Sequence, residues 1–231
     1  IVATVRALKY NGGVPKAELN AENLEALEKG LQNLFKHVEN ITKVFKLPAV
    51  VAVNKFPTDT AAELKLLEER CGELGVNARI SQVWEKGGAG GLDVAEELLR
   101  LIGSNDGELE FAYDEKLPIR DKIRMISQRI YGADGVTFTD QAEKEINELE
   151  KNGFGETPVC MAKTQFSLTD DQTKLGRPAG FHITVRQVTV SAGAGFVVAI
   201  TGNIMKMPGL PKLPAAERID VDSTGKISGL F

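Results

Sequence analysis

Leu47 to Thr60 reads LPAVVAVNKFPTDT, and the fold class turns on it. Ala49-Val50-Val51-Ala52-Val53 is apolar at every position and rich in β-branched residues. A strand covered on both faces of a parallel sheet has this composition. The character then changes within one residue. Asn54 and Lys55 are polar, Phe56 and Pro57 form a rigid apolar pair, and Thr58-Asp59-Thr60 opens a helix. Thr60 and Glu63 fit a T-x-x-E capping box ahead of Leu64, Leu67, Cys71 and Leu74. Polar and aromatic side chains therefore stand in the loop after a central strand. In open α/β sheets ligands bind in the crevice at the carboxyl ends of the strands.

Towards the N-terminus, Ile1 to Leu8 reads as a strand with Arg6 at its carboxyl end, placed to meet an anion, and Asn11-Gly12-Gly13-Val14-Pro15 as a loop. Asn20 is the expected N-cap of a helix whose Leu24, Leu27, Leu31, Leu34, Phe35, Val38 and Ile41 follow helical spacing. His37 lies beside that apolar face and reads as structural. Towards the C-terminus, the helix after Thr60 ends at Gly75, and Val76 to Val83 reads as the next strand. Trp84, the sole tryptophan, stands at that strand's end before Gly87, Gly88, Gly90 and Gly91. It is either a core anchor or a platform, with the glycines leaving room for a flat ligand on the indole face. No Gly-Lys-Ser/Thr follows, so these glycines are not a Walker A loop.

Leu92 to Ile102 reads as a helix with Val94, Leu98 and Leu101 inward, followed by a turn over 104–107. Leu117 to Tyr131 is a second amphipathic helix, broken at Gly132 to Gly135, and Thr139 caps a third that runs to Lys151. Beyond residue 153 the pattern becomes β-rich. Val159 to Lys163 is a short strand, and TKLGRPAG (Thr173 to Gly180) is a loop. Phe181 to Val190 alternates apolar with polar residues, His182 on the polar side, and Phe196 to Thr201 is apolar. Met205 to Pro214 holds three prolines and reads as irregular; Arg218 to Phe231 reads as a closing hairpin or β-turn.

Apolar content of 42%, charged content of 26% and a net charge of −4 describe an ordinary globular chain. No basic cluster points to nucleic acid, and no run is long enough to span a membrane. Cys71 and Cys160 show no metal or redox spacing and read as buried free thiols in a reducing compartment. The first residues, Ile1-Val2-Ala3-Thr4-Val5, look like the interior of a strand, which reads as a chain cut inside an α/β domain with earlier strands missing or supplied separately. Asn54-Lys55 resembles the start of the N-K-x-D motif by which GTPases read guanine. The carboxylate position of that motif is here Pro57. A GTPase-like nucleotide switch and a non-catalytic scaffold are the competing readings.

ATVRALKYNGGV, LPAVVAVNKFPTDT, GFGETPVCMAKTQFSL, TKLGRPAGFHITVRQVTVSAGAGF and MPGLPKLPAAERIDVD together resemble the formate–tetrahydrofolate ligase family, and the resemblance runs from Ile1 to Phe231. It implies a cytoplasmic, homotetrameric enzyme that couples formate, ATP with Mg²⁺ and tetrahydrofolate, giving 10-formyltetrahydrofolate, ADP and phosphate through formyl phosphate. A monovalent cation is implied as well, with no residue here marking its ligands. The expected fold is α/β, a parallel-sheet core of the P-loop NTPase type truncated at its N-terminal side, followed by a smaller β-rich α+β domain. Residues 1–45 would be the tail of the nucleotide-binding core, 46–152 the folate-binding region and 153–231 the β-rich domain.

Carried over by residue, the resemblance sets the pteridine near Phe56, Pro57 and Trp84. The adenine falls near Arg177, Pro178, Ala179 and Gly180, with Asn54 and Lys55 between the two ligands. Arg6 is the candidate for offsetting charge on the transferring phosphoryl group. The family's G-x-x-x-x-G-K-T loop, and an upstream aromatic that helps hold the pteridine, are absent from these 231 residues. An N-terminal part of the same enzyme is therefore an expected partner, and the chain alone is expected to be inactive.

Overall fold

In the computed structural model, which describes residues 1–105, 107–204 and 212–229, the chain opens on a two-residue strand, β1 (Val2–Ala3). It turns at once into helix α1 (Val5–Asn11). Most of the strand expected over Ile1 to Leu8 is thus helix, and Thr4 is the reason. Its backbone is extended, and its side chain accepts the Ala7 N–H at 3.0 Å, so it works as an N-cap. Val5 and Leu8, three residues apart, are then buried on one face. Arg6 belongs to the first turn of a helix rather than to a strand end.

Helix α2 (Leu24–Glu39) is capped by Asn23, which accepts the Ala26 N–H at 2.9 Å, and not by Asn20. It buries Leu27, Leu31, Leu34 and Val38, the expected stripe, and continues into a π-helical turn over Asn40–Val44. Gly30 lets α2 cross α1 in backbone contact: a Cβ there would lie 1.7 Å from the Leu8 carbonyl oxygen.

Strand β2 (Val50–Asn54), helix α3 (Ala61–Glu73) and strand β3 (Asn77–Ser81) follow. The first sheet is parallel, ordered β1-β2-β3, so the strand read as central is central. Val51 and Val53 are buried. At roughly 1.5–3 kcal/mol per fully buried aliphatic side chain, such residues hold this layer together. The Thr60–Glu63 capping box forms in both directions. β3 stops at Ser81, and Trp84 sits on a short helix, α4 (Val83–Lys86), rather than at the strand's end.

Helix α5 (Leu92–Gly103) starts where expected, runs one residue further and shows a different face. Val94 and Leu101 are half-buried, Leu98 is exposed, and the one buried side chain is Glu97. The second unit holds α6 (Ile119–Ile126), β4 (Gly135–Phe138), α7 (Asp140–Lys151), β5 (Val159–Ala162), β6 (His182–Ser191) and β7 (Phe196–Thr201). The helix expected to reach Tyr131 changes to a π-helical turn after Ile126. Gly132 then takes a left-handed conformation that releases the chain into β4, a strand the sequence did not signal.

The second sheet is mixed, ordered β4-β6-β7-β5, with only β6 and β7 antiparallel. Its core packs Ile119, Ile123 and Ile146 against Val185, Val188 and Val197. A register shift between Val185 and Gln187 interrupts the alternation of β6 where two polar residues, Arg186 and Gln187, occur in succession. Cys71 is buried as expected and Cys160 is exposed, contrary to expectation. A closing hairpin pairs β8 (Asp220–Val221) with β9 (Ile227–Ser228). The irregular stretch expected over 205–214 lies, as far as residue 211, outside the described residues, as do Asp106 of the 104–107 turn and residues 230 and 231. Among the described residues no helix is long and apolar enough to cross a membrane.

Candidate active site

The loops after β2 and β3 stand side by side because their strands pair in register, Asn54 opposite Ser81. Two further bonds join them. The Lys55 N–H donates to the Ser81 carbonyl at 3.1 Å. The Trp84 Nε1–H donates to the Lys55 carbonyl at 2.9 Å. Trp84 is 60% exposed and Phe56 38% exposed. Both are large aromatics presented at the carboxyl end of the parallel sheet. The indole is fixed by its N–H while its faces stay open, which suits a stacking platform and not a core anchor. The glycines after Trp84 have a structural use too. The Gln82 N–H donates to the Gly90 carbonyl at 2.9 Å, and a Cβ on Gly90 would come within 2.4 Å of the Gln82 carbonyl oxygen.

Beneath Phe56 the polar groups are ordered. The Phe56 N–H donates to Asp59 Oδ2 at 2.8 Å. Asp59 is buried, its Oδ1 has no partner among the described residues, and burial pushes its carboxyl above the usual range. Asp59 therefore faces inward and offers nothing to a guanine edge. Lys9 and Glu63 form a fully buried ion pair at 2.7 Å. Glu63 also accepts the backbone N–H groups of Thr60 and Asn23, each at 3.1 Å, and Lys9 donates to the Ala21 carbonyl at 2.8 Å. Each charge is thus met by several partners, as a buried pair requires. Arg6 bonds Asn20 Oδ1 and holds its guanidinium 6.0 Å from the centre of the Phe56 ring.

The Gly176–Gly180 loop reaches the other end of α1. Asn11 Oδ1 accepts the Gly176 N–H at 3.1 Å, and Asn33 donates to the Gly176 carbonyl at 2.9 Å. Arg177 is engaged by Glu39 through two bonds, 3.0 and 2.7 Å, which hold the Glu39 carboxyl below its usual range. Pro178 is half-buried; Ala179 and Gly180 are exposed. A cleft of about 430 Å³ runs along α1 between the two loops, past Thr4, Arg6, Tyr10, Lys16 and Phe166. A larger one, about 490 Å³, opens beside β3. Its two cationic residues, Arg79 and Arg100, are already paired by Glu97, and it is lined by none of the expected ligand residues.

The family model for formate–tetrahydrofolate ligase matches residues 1–231. The chain belongs to the formate–tetrahydrofolate ligase family. Members of that family are ligases acting on formate and tetrahydrofolate, and they use ATP with Mg²⁺.

Among the expected site residues, the geometry brings Asn54, Lys55, Phe56, Pro57, Trp84 and Arg6 together. Arg177 to Gly180 stand apart, joined to the first group by α1 and its cleft. Tyr10, Lys16 and Phe166 were not singled out from sequence. Lys16 Nζ lies 5.7 Å from the Tyr10 ring centre and 5.9 Å from that of Phe166. The only signal was Phe166 as an aromatic in a polar KTQFSLTDD run.

Proposed function

We propose that the chain holds tetrahydrofolate and the nucleotide base in an ATP-dependent synthesis of 10-formyltetrahydrofolate, with ADP and phosphate as the other products. The observation that carries this reading is the pair Phe56 and Trp84, exposed and linked through the Lys55 carbonyl at the carboxyl ends of two adjacent parallel strands. A pteridine stacks on the indole with Phe56 and Pro57 as its apolar wall. The nucleotide runs along α1, its base at Arg177 to Gly180 and its phosphates towards Arg6.

Formate attacks the γ-phosphate as the bond to ADP breaks and ADP leaves, and Arg6 offsets the charge that accumulates on the transferring group. The folate amine then attacks the formyl carbon of formyl phosphate, phosphate leaves as the C–O bond breaks and the amine gives up its proton, and the stack on Trp84 keeps the amine within reach. Arg177 shapes the base site through Glu39 and touches the base less than its neighbours do.

The magnesium-bound triphosphate needs a phosphate loop that these 231 residues lack. Among the described residues no group of three or more His, Cys, Asp or Glu side chains could hold a metal ion. The reading extends to a P-loop-like core completed by an N-terminal part, with the division at 1–45, 46–152 and 153–231. It further takes in a homotetrameric cytoplasmic enzyme that needs a monovalent cation, as the family resemblance implies.

Trp84 is the sole tryptophan, so its emission tests the reading directly. Tetrahydrofolate should quench it saturably after correction for folate absorbance, and ATP should do much less. No saturable quench, or an equal effect of both, overturns the folate assignment. The isolated chain should make no 10-formyltetrahydrofolate until a phosphate-loop part is added; robust synthesis by the chain alone would contradict that division of labour.

A further inference from the structure

Lys163 directly follows β5, and its ammonium has no carboxylate within ion-pair distance among the described residues; Asp170 acts on it only at longer range. Its Nζ instead donates to three carbonyls of one loop, those of Thr164 at 2.8 Å, Ser167, and Thr169 at 2.9 Å. It also lies 5.0 Å from the centre of the Tyr131 ring. An ammonium has three N–H groups, so all of them are spent on this loop and none is left for a ligand. The loop is divided in a matching way. Ser167, Leu168 and Thr169 are buried, whereas Gln165 and Phe166 are exposed and line the cleft along α1.

We infer that Lys163 is a positioning residue for nucleotide binding: by gathering these three carbonyls it fixes the turn that presents Gln165 and Phe166 as a wall of the cleft. The inference rests on the reading of that cleft as the nucleotide's path. The side chain is a costly choice for mere filling. Burial pushes the Lys163 ammonium down to about 8, a cost that an apolar side chain of similar length avoids. Such a side chain would also leave three carbonyls without a donor. The loop is held on its far side as well, where Asp170 Oδ2 accepts the Thr184 N–H at 2.8 Å. Loss of the ammonium therefore frees the exposed end of the loop and not the whole.

The test compares Lys163→Met and Lys163→Arg by amide hydrogen exchange of the chain and by steady-state kinetics of the enzyme assembled with its phosphate-loop part. In Lys163→Met, exchange over residues 164–166 should quicken while residue 170 and other segments stay unchanged. KM for ATP should rise roughly tenfold, the scale of a lost hydrogen-bonded charge, with kcat and KM for tetrahydrofolate nearly constant. Lys163→Arg, whose donors diverge across a planar fork, should show a smaller rise, and it decides the matter if the Met variant does not fold. Phe166→Ala checks the underlying reading and should raise KM for ATP by itself. Unchanged exchange in both Lys163 variants overturns the clamp. Faster exchange with KM for ATP unchanged, while Phe166→Ala raises it, overturns the positioning role. If neither Lys163→Met nor Phe166→Ala moves KM for ATP, the cleft is not the nucleotide's path, and the proposal falls with that reading.

Discussion

A tryptophan that is 60% exposed yet hydrogen-bonded through its indole nitrogen can be changed without opening a core. Trp84→Ala should weaken tetrahydrofolate binding by roughly 1–3 kcal/mol, the range for loss of stacking on a heterocycle, and leave the melting temperature nearly unchanged. Phe56→Ala should act in the same direction and less. A core tryptophan would instead cost about 3–5 kcal/mol of stability and lower every ligand's affinity together. Calorimetric titration with tetrahydrofolate and with ATP, beside thermal unfolding, separates the two outcomes. At this scale the sequence is legible where chemistry is local. The capping box could be read because Thr60 and Glu63 are three residues apart and its pattern is fixed by helix geometry. The same Glu63 also neutralises Lys9, 54 residues away, and no local pattern carries that pairing. Nothing near Lys9 in the sequence therefore marks it as buried, although it lies in the core.

Among the elements, periodicity located helices better than it oriented them. The extent of α5 is legible to within a residue, but of the three side chains read as inward, Val94 and Leu101 are only half-buried and Leu98 is exposed, while Glu97 is buried. Glu97 attaches the helix to the edge strand. It accepts from Asn77 at 2.9 Å and from Arg79 at 3.2 Å, both on β3, and from Arg100 on its own helix. A carboxylate so satisfied overrides the hydrophobic stripe, because burying it unpaired would cost more than exposing a leucine. The bonds from Arg100 and then Asn77 hold the Glu97 carboxyl at about 2, against an ordinary value of 4.5.

The sign follows from that depression. The folded state binds the proton less readily than the unfolded chain does, so the contribution is complete above pH 4.5 and is lost as pH falls towards 2. Glu97→Gln should remove this part of the acid sensitivity. The wild type should lose melting temperature between those two pH values, and the variant should lose less. Parallel acid melts of the two chains with equal slopes would show that Glu97 does not anchor α5. The misreading of β1 has a related cause. Ile1 to Val5 has strand composition, but Thr4 gives the backbone a cap, and the helix that follows is held by contact with α2. Tertiary packing wins over a short propensity signal.

Across the whole molecule, α2 works on two sides. Its apolar stripe packs on the first sheet, while Asn33, Lys36 and Glu39, with Asn40 just past its end, reach the second unit at Gly176, Arg129, Arg177 and Ile130. The sequence marks these only as the polar face of an amphipathic helix, which ordinarily means solvent. Glu39 and Arg177 are 138 residues apart, so their pairing was not legible, and Arg177 read as a ligand residue in its own right. The pairing gives the arginine another task. It sets the GRPAG loop against α2 at the end of the cleft opposite Phe56.

Arg177→Ala and Glu39→Ala should then weaken ATP binding to a similar degree. The double variant should be no worse than either single one, a coupling expected of residues that act as one unit. The pair is partly exposed, with side chains 36% and 26% accessible, so its direct worth to stability is small, about 0.2–1 kcal/mol as for other exposed pairs. Tetrahydrofolate affinity should not change in any of the three, because the Phe56–Trp84 platform is anchored on β2 and β3. Four titrations with each ligand complete the cycle. A loss of ATP affinity confined to Arg177→Ala, with Glu39→Ala silent, would mean that the guanidinium meets the nucleotide directly and that α2 contributes only packing.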